Sequence, residues 1–112
     1  MANANTARIR DLNDAFRKNP TRSLGRLMIT ASVAARGDSF VRTALEALAK
    51  FDTFTPDNDP HREHDFGIFD AGGVKLYFKI DYFDAACQYG SEDPSDPAKT
   101  TRVMTIMLPE DY

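Results

Sequence analysis

Strict alternation of apolar and polar positions runs from Val74 to Phe83. Val74, Leu76, Phe78, Ile80 and Tyr82 fall on one side, and Lys75, Tyr77, Lys79, Asp81 and Phe83 on the other. Side chains on a strand alternate faces, so this stretch reads as a strand with one face buried. Asp65 to Phe69 forms the preceding arm and Asp70-Ala71-Gly72-Gly73 the tight reversal, which makes residues 65–83 a hairpin. A second alternating run, Arg26 to Val33, sets Leu27, Ile29, Ala31 and Val33 against Met28, Thr30 and Ser32 and predicts another strand. Arg102 to Leu108 is apolar on nearly both sides, the pattern of a central, well-covered strand, and Pro109 ends it.

Two stretches carry the helical period instead. Ile9, Leu12 and Phe16 predict a helix from Asn5 or Thr6 to Lys18, stopped at Asn19-Pro20 because the residue before proline resists the helical region. Asp14 stands at ion-pair spacing from Arg10, Arg17 and Lys18, so the outer face of this helix is expected to satisfy itself. After the break at Arg36-Gly37, Val41, Ala44, Leu45, Leu48 and Phe51 predict a second helix from Asp38 or Ser39 to about Lys50. Residues 1–4 read as a frayed tail. The order α-β-α-β-β-β predicts an α+β fold, two helices packed on one face of a mostly antiparallel four-stranded sheet, as a single domain over residues 1–112.

Composition changes this picture in one respect. Residues 1–50 carry nine Lys and Arg against four Asp and Glu, whereas residues 51–112 carry five against thirteen. Either the basic helices dock beside the acidic loops, or an acidic surface recruits a basic partner. The single Cys87 has no internal disulfide partner, and no apolar run has the length of a signal peptide or membrane span. A soluble cytoplasmic protein is the expectation.

Candidate chemistry gathers in two loops, residues 52–64 and 84–100, both longer than simple connections need. The first leads into the hairpin and the second leaves it, so His64 and Asp65 should lie near Asp81–Asp84 at one end of the sheet. A metal reading takes His61 and His64 with Asp65 or Asp81, but a His-x-x-His pair in a loop has no helical register to aim both rings at one ion. Asp57-x-Asp59-x-His61 begins like a calcium loop and then puts Arg62 where the sharp turn requires glycine. An acid–base reading uses His64 oriented by a carboxylate, against the simpler alternative that His64 and Asp65 cap the strand end. No phosphate loop is present, no elbow surrounds Ser91, and nothing in the sequence activates Cys87. No cofactor is implied.

Lys75, Tyr77 and Lys79 would suit base stacking, but Asp81 closes the row and the net charge of −3 opposes phosphate, which speaks against nucleic acid. The acidic residues Asp57, Asp59, Glu92, Asp93 and Asp96 are the candidate contacts for a protein partner. The favoured function is therefore a protein-binding or regulatory module, sharpened to an acidic inhibitor of a nucleic-acid-handling complex. The alternative is a small metal-assisted hydrolase centred on His64, Asp65 and Asp81. The balance lies against an enzyme.

Several longer motifs carry a resemblance. Asp57-Asn58-Asp59-Pro60 with Glu63-His64-Asp65-Phe66-Gly67, Lys79-Ile80-Asp81-Tyr82-Phe83-Asp84, Gly90-Ser91-Glu92-Asp93-Pro94-Ser95-Asp96-Pro97 and Arg102-Val103-Met104-Thr105-Ile106-Met107-Leu108 together resemble a small bacterial family known only as a domain of unknown function, met in chromosomes and on plasmids. The resemblance brings no established activity and no catalytic residue. Its link to mobile elements implies a role against host defence systems.

Overall fold

The computed structural model describes residues 4–112, so the tail expected over residues 1–4 lies, Ala4 apart, outside the described residues. The elements are α1 (Ala4–Lys18), β1 (Arg26–Ile29), α2 (Ala31–Ala34), α3 (Asp38–Lys50), β2 (Phe66–Ala71), β3 (Val74–Phe83) and β4 (Thr101–Met107), followed by a 3-10 turn at Pro109–Asp111. The four strands form one sheet in the order β1-β4-β3-β2. β2 and β3 pair antiparallel, as do β3 and β4, whereas β1 lies parallel to β4. The α+β class and the mostly antiparallel sheet are as expected; the parallel edge makes the sheet mixed.

One face of the sheet holds the core. Phe69 and Ala71 of β2, Leu76, Phe78 and Ile80 of β3, and Met104 and Ile106 of β4 form a single cluster with Phe16, Val33, Ala44 and Leu48 from the helices. Burying each of these larger side chains contributes roughly 1.5–3 kcal/mol. Gly67 sits where two rings cross β2: a Cβ there would come within 2.6 Å of Phe78 and 2.7 Å of Phe51. The reversal is a two-residue turn in which Gly72 and Gly73 take φ of +57° and +85°, the left-handed pair that suits the twist of a hairpin. Asp70 fixes it by accepting the Gly73 amide at 2.8 Å.

The strand expected over Arg26–Val33 stops at Ile29, and the chain turns into α2. The Thr30 amide still reaches the Ile106 carbonyl at 3.1 Å, but the Ala34 and Ala35 amides bond back to Thr30 and Ala31, which closes a helical turn. Alanine-rich sequence favours that turn, and Val33 reaches the core either way, so the alternating pattern did not separate the two. Among the described residues there are thus three α-helices where the pattern predicts two.

The opposite face of the sheet is mixed. It carries Lys75, Tyr77, Lys79, Asp81 and Phe83 beside Phe66 and Ile68 on β2 and Val103, Thr105 and Met107 on β4, as the pairing register requires. Tyr112 packs edge-on against Phe66 and Tyr77 there, with ring centres 6.1 and 6.0 Å apart. Among the described residues no helix is long and apolar enough to cross a membrane.

Candidate functional site

Helix α1 turns two polar residues inward. Asn13 is fully buried and Arg17 is 2% exposed, next to the apolar Ile9 and Phe16. Burial of such groups is costly unless their hydrogen bonds are met. Asn13 finds partners on three other segments, whereas Arg17 bonds Asp14 on its own helix and its buried Nε has no partner among the described residues. The Asn13 amide donates to the Glu63 carbonyl at 2.9 Å and to the Tyr82 hydroxyl at 2.7 Å. The Tyr82 hydroxyl in turn donates to the Glu63 carboxylate at 2.8 Å. Arg102, 3% exposed on β4, donates its Nε to Asn13 Oδ1 at 2.8 Å and its Nη2 to the Pro94 carbonyl. Its guanidinium carbon lies 5.3 Å from the centre of the Tyr82 ring. One continuous polar chain therefore ties loop 52–64 to loop 84–100 through the inner face of α1.

The chain is electrostatically consistent. Burial pushes the Tyr82 phenol well above its ordinary value, and the charges of Asp65 and Glu63 add to this, so it stays a donor. Burial lowers Arg102 from its ordinary value, while Tyr82 and Glu63 act to hold its proton.

A second polar cluster adjoins the first. The Asp14 carboxylate accepts from Arg17 Nη1 at 2.7 Å and from His64 Nδ1 at 2.7 Å. A carboxylate can only accept, so His64 Nδ1 carries a proton. Burial acts to raise the Asp14 carboxyl, but the bonds and charges of Arg17 and His64 outweigh it and hold the group below its ordinary value. The Asp14–Arg17 pair is thus on the inner side of α1, not on the outer face where the spacing alone put it. Asp59, 5% exposed, accepts the His64 amide at 3.0 Å and stands 3.6 Å from His64 Nε2. These bonds hold His64 at a φ of +57°, just after Arg62 at +59°, a backbone state that L residues adopt at a cost of order 1–3 kcal/mol. The imidazole also stacks on Phe54, 3.8 Å away and nearly parallel. Arg10, Phe54, Pro56, Asp59, Arg62 and His64 line an open cavity of about 410 Å³.

The candidates read from the sequence are distributed as follows. His64 is flanked by Asp14 and Asp59, while Asp81 ion-pairs with Lys79 at 2.8 Å, on the face of the sheet away from the helices. The hairpin does bring the backbones together, for Ile80 donates to the Asp65 carbonyl at 2.8 Å, but no ion pair joins His64 to Asp81. Burial, with the charges of Glu63 and Asp59, raises the Asp65 carboxyl above its ordinary value. His61 is exposed, and among the described residues no three His, Cys, Asp or Glu form a group that could hold a metal ion. With one nitrogen spent on Asp14 and the other facing Asp59, His64 has the geometry of a latch between α1 and the loop.

Loop 84–100 is built by its own acids. Asp84 accepts the Gln88 amide, Asp93 the amide and hydroxyl of Ser95, and Asp96 the Ala98 amide. Hydrogen bonds from Ser95 hold Asp93 below its ordinary value. A bridge between Phe83 and Gly90 and the bond from Arg102 to Pro94 fasten the loop to the sheet. Glu92 and Asp57 stay exposed with no hydrogen-bond or ion-pair partner among the described residues, whereas Asp59, expected among the contact residues, is buried beneath His64. The buried trio Asn13, Arg17 and Arg102 escaped the sequence reading because polar residues on a helix or strand are ordinarily assigned to solvent. The one available signal was their spacing: Asn13 and Arg17 continue the Ile9 stripe at i+4 and i+8.

Fold and site together define a small α+β protein whose irregular loops are locked to a mixed sheet by a buried polar chain. Residues 29–111 match the family model described as Protein of unknown function (DUF3768), and the chain belongs to that family. This agrees with the resemblance to a family of unknown function. No curated protein and no solved structure matches the chain.

Proposed function

We propose that the protein is a binding module that offers its acidic loops to a basic protein partner. The observation that carries this reading is the internal bonding of loop 84–100. Its aspartates hold its backbone and Arg102 anchors it, so Glu92 is presented on a framework that is already ordered. Preorganisation removes much of the entropy cost that a flexible acidic loop meets on binding. In its sharper form the loop fills a basic groove that otherwise takes nucleic-acid phosphates, and the protein inhibits the complex to which that groove belongs, a host-defence complex included. Steering by opposite charge would speed the encounter and make it sensitive to salt.

The test is capture from a lysate of the native host at low and high salt, with wild type and with Glu92→Lys/Asp57→Lys. Both positions are exposed, so the fold should survive, as a circular dichroism melt would check. Loss of a captured protein on charge reversal and at high salt supports the reading. A partner held equally well by the reversed variant removes it.

A further inference from the structure

Two cavities meet at the free edge of β1. The first, about 210 Å³, is lined by Leu12 of α1, Ser23, Gly25, Pro97, Thr100 and the buried Arg102, together with Arg22 and Arg26. The second, about 520 Å³, shares Arg22, Gly25 and Arg26 and adds Pro20, Leu27 and Met28. The linings of both contain no Asp or Glu, in a chain that has seventeen of them. Arg22 and Arg26 are exposed and have no hydrogen-bond or ion-pair partner among the described residues. Gly25 keeps the floor open, since a Cβ there would meet the Arg102 carbonyl and the Phe16 ring at 2.7 Å.

We infer that this double cavity binds the phosphate monoester of a small organic molecule, with the phosphate between Arg22 and Arg26 and the organic part along Pro20, Leu27 and Met28. Two uncommitted guanidiniums supply more positive charge than a single carboxylate neutralises, whereas a phosphate dianion matches it; the Arg102 guanidinium is already spent on Asn13 and Pro94. Arginine offers paired N–H donors at the spacing of phosphate oxygens, and the Ser23 hydroxyl adds a further donor. The apolar half of the lining gives affinity only to a ligand that carries carbon beyond the phosphate. Pro97 and Thr100 of loop 84–100 line the first cavity, but none of the acidic residues of the proposed docking surface does, so this reading stands or falls without them.

Titration of the full chain with inorganic phosphate, phenyl phosphate and phenol, followed by backbone amide NMR, tests it. Phenyl phosphate is expected to bind several-fold more tightly than phosphate and to shift Ser23, Gly25 and Leu27, with phenol producing no shift. Arg22→Gln/Arg26→Gln should weaken phenyl phosphate at least tenfold, while Arg42→Gln, an exposed arginine on α3 outside both cavities, should leave it unchanged. Equal loss in the Arg42 variant would reduce the effect to overall charge and overturn the proposal. So would phenol binding as well as its phosphate, no response to either phosphate, or binding of a short oligonucleotide without any response to phenyl phosphate.

Discussion

Arg102 is the residue on which most of the polar interior depends. Its guanidinium meets Asn13, Pro94 and the face of Tyr82 at once, so Arg102→Met leaves buried acceptors without donors. Each such group costs about 1–3 kcal/mol, and a loss of about 3 kcal/mol in a urea titration is expected. Lysine should not rescue it, because one ammonium cannot reproduce the fork. Two aspartates make opposite predictions in acid. Asp14 is held below its ordinary value of 3.8, so its stabilising contribution is complete above that value and is lost as pH falls through the lower folded one. Asp14→Asn should therefore flatten the acid limb of the stability curve. Asp65 is raised, so it favours the fold only where it is protonated, and that contribution is lost as pH rises through its folded value. Asp65→Asn is expected to be more stable than wild type at neutral pH, the gain disappearing toward pH 3. None of this was legible from hydropathy. Asn13 and Arg102 are read as surface until their partners, 50 to 89 residues distant in sequence, are in place, and Arg17 until the Phe54 ring covers it.

At the scale of elements, periodicity located the strands β2, β3 and β4 and the two long helices, because each buries a single face and the apolar positions must recur with its period. It failed at Thr30–Ala35, where six residues are too few to separate a strand from a helical turn and where the deciding contacts come from the far end of the chain. Thr30 and Ser32 both donate to the Asp111 carboxylate, which also accepts the Leu108 amide at 2.9 Å. Hydrogen bonds from Ser32 and Thr30 hold this carboxyl below its ordinary value. Asp111→Ala should free the 3-10 turn and with it Tyr112. Faster hydrogen exchange at the Leu108 amide, with β3 protection unchanged, is the expected result; unchanged exchange at Leu108 would show that the turn holds without the carboxylate. The hairpin geometry was likewise legible as a backbone statement. Residues opposite each other in a sheet share a face, but His64 precedes β2 and its φ of +57° takes it out of the pleat. Its ring turns to Asp14 on α1, while Asp81 stays with Lys79 on the outer face.

For the whole molecule, the separation of charge along the chain is only partly undone by folding. α1 brings Arg10 and Arg17 to loop 52–64, where Arg10 reaches the Arg62 carbonyl and Arg17 the Asp14–His64 cluster. Among the described residues Arg22 and Arg26 pair with no acid, and Glu92 with no base. The strand order was beyond the sequence, since nothing in residues 26–29 marks β4 as their neighbour. That parallel pairing has a consequence for synthesis. Ile29 leaves the ribosome 72 residues before Thr101, an interval of about 4–15 s at elongation rates of roughly 5–20 residues per second. Through that interval the first strand has no ladder to join, and Phe16 and Val33 have no completed wall to pack on. A nascent chain arrested before β4 should therefore remain protease-sensitive and a client for holdases, and resistance to cleavage should arrive in one late step.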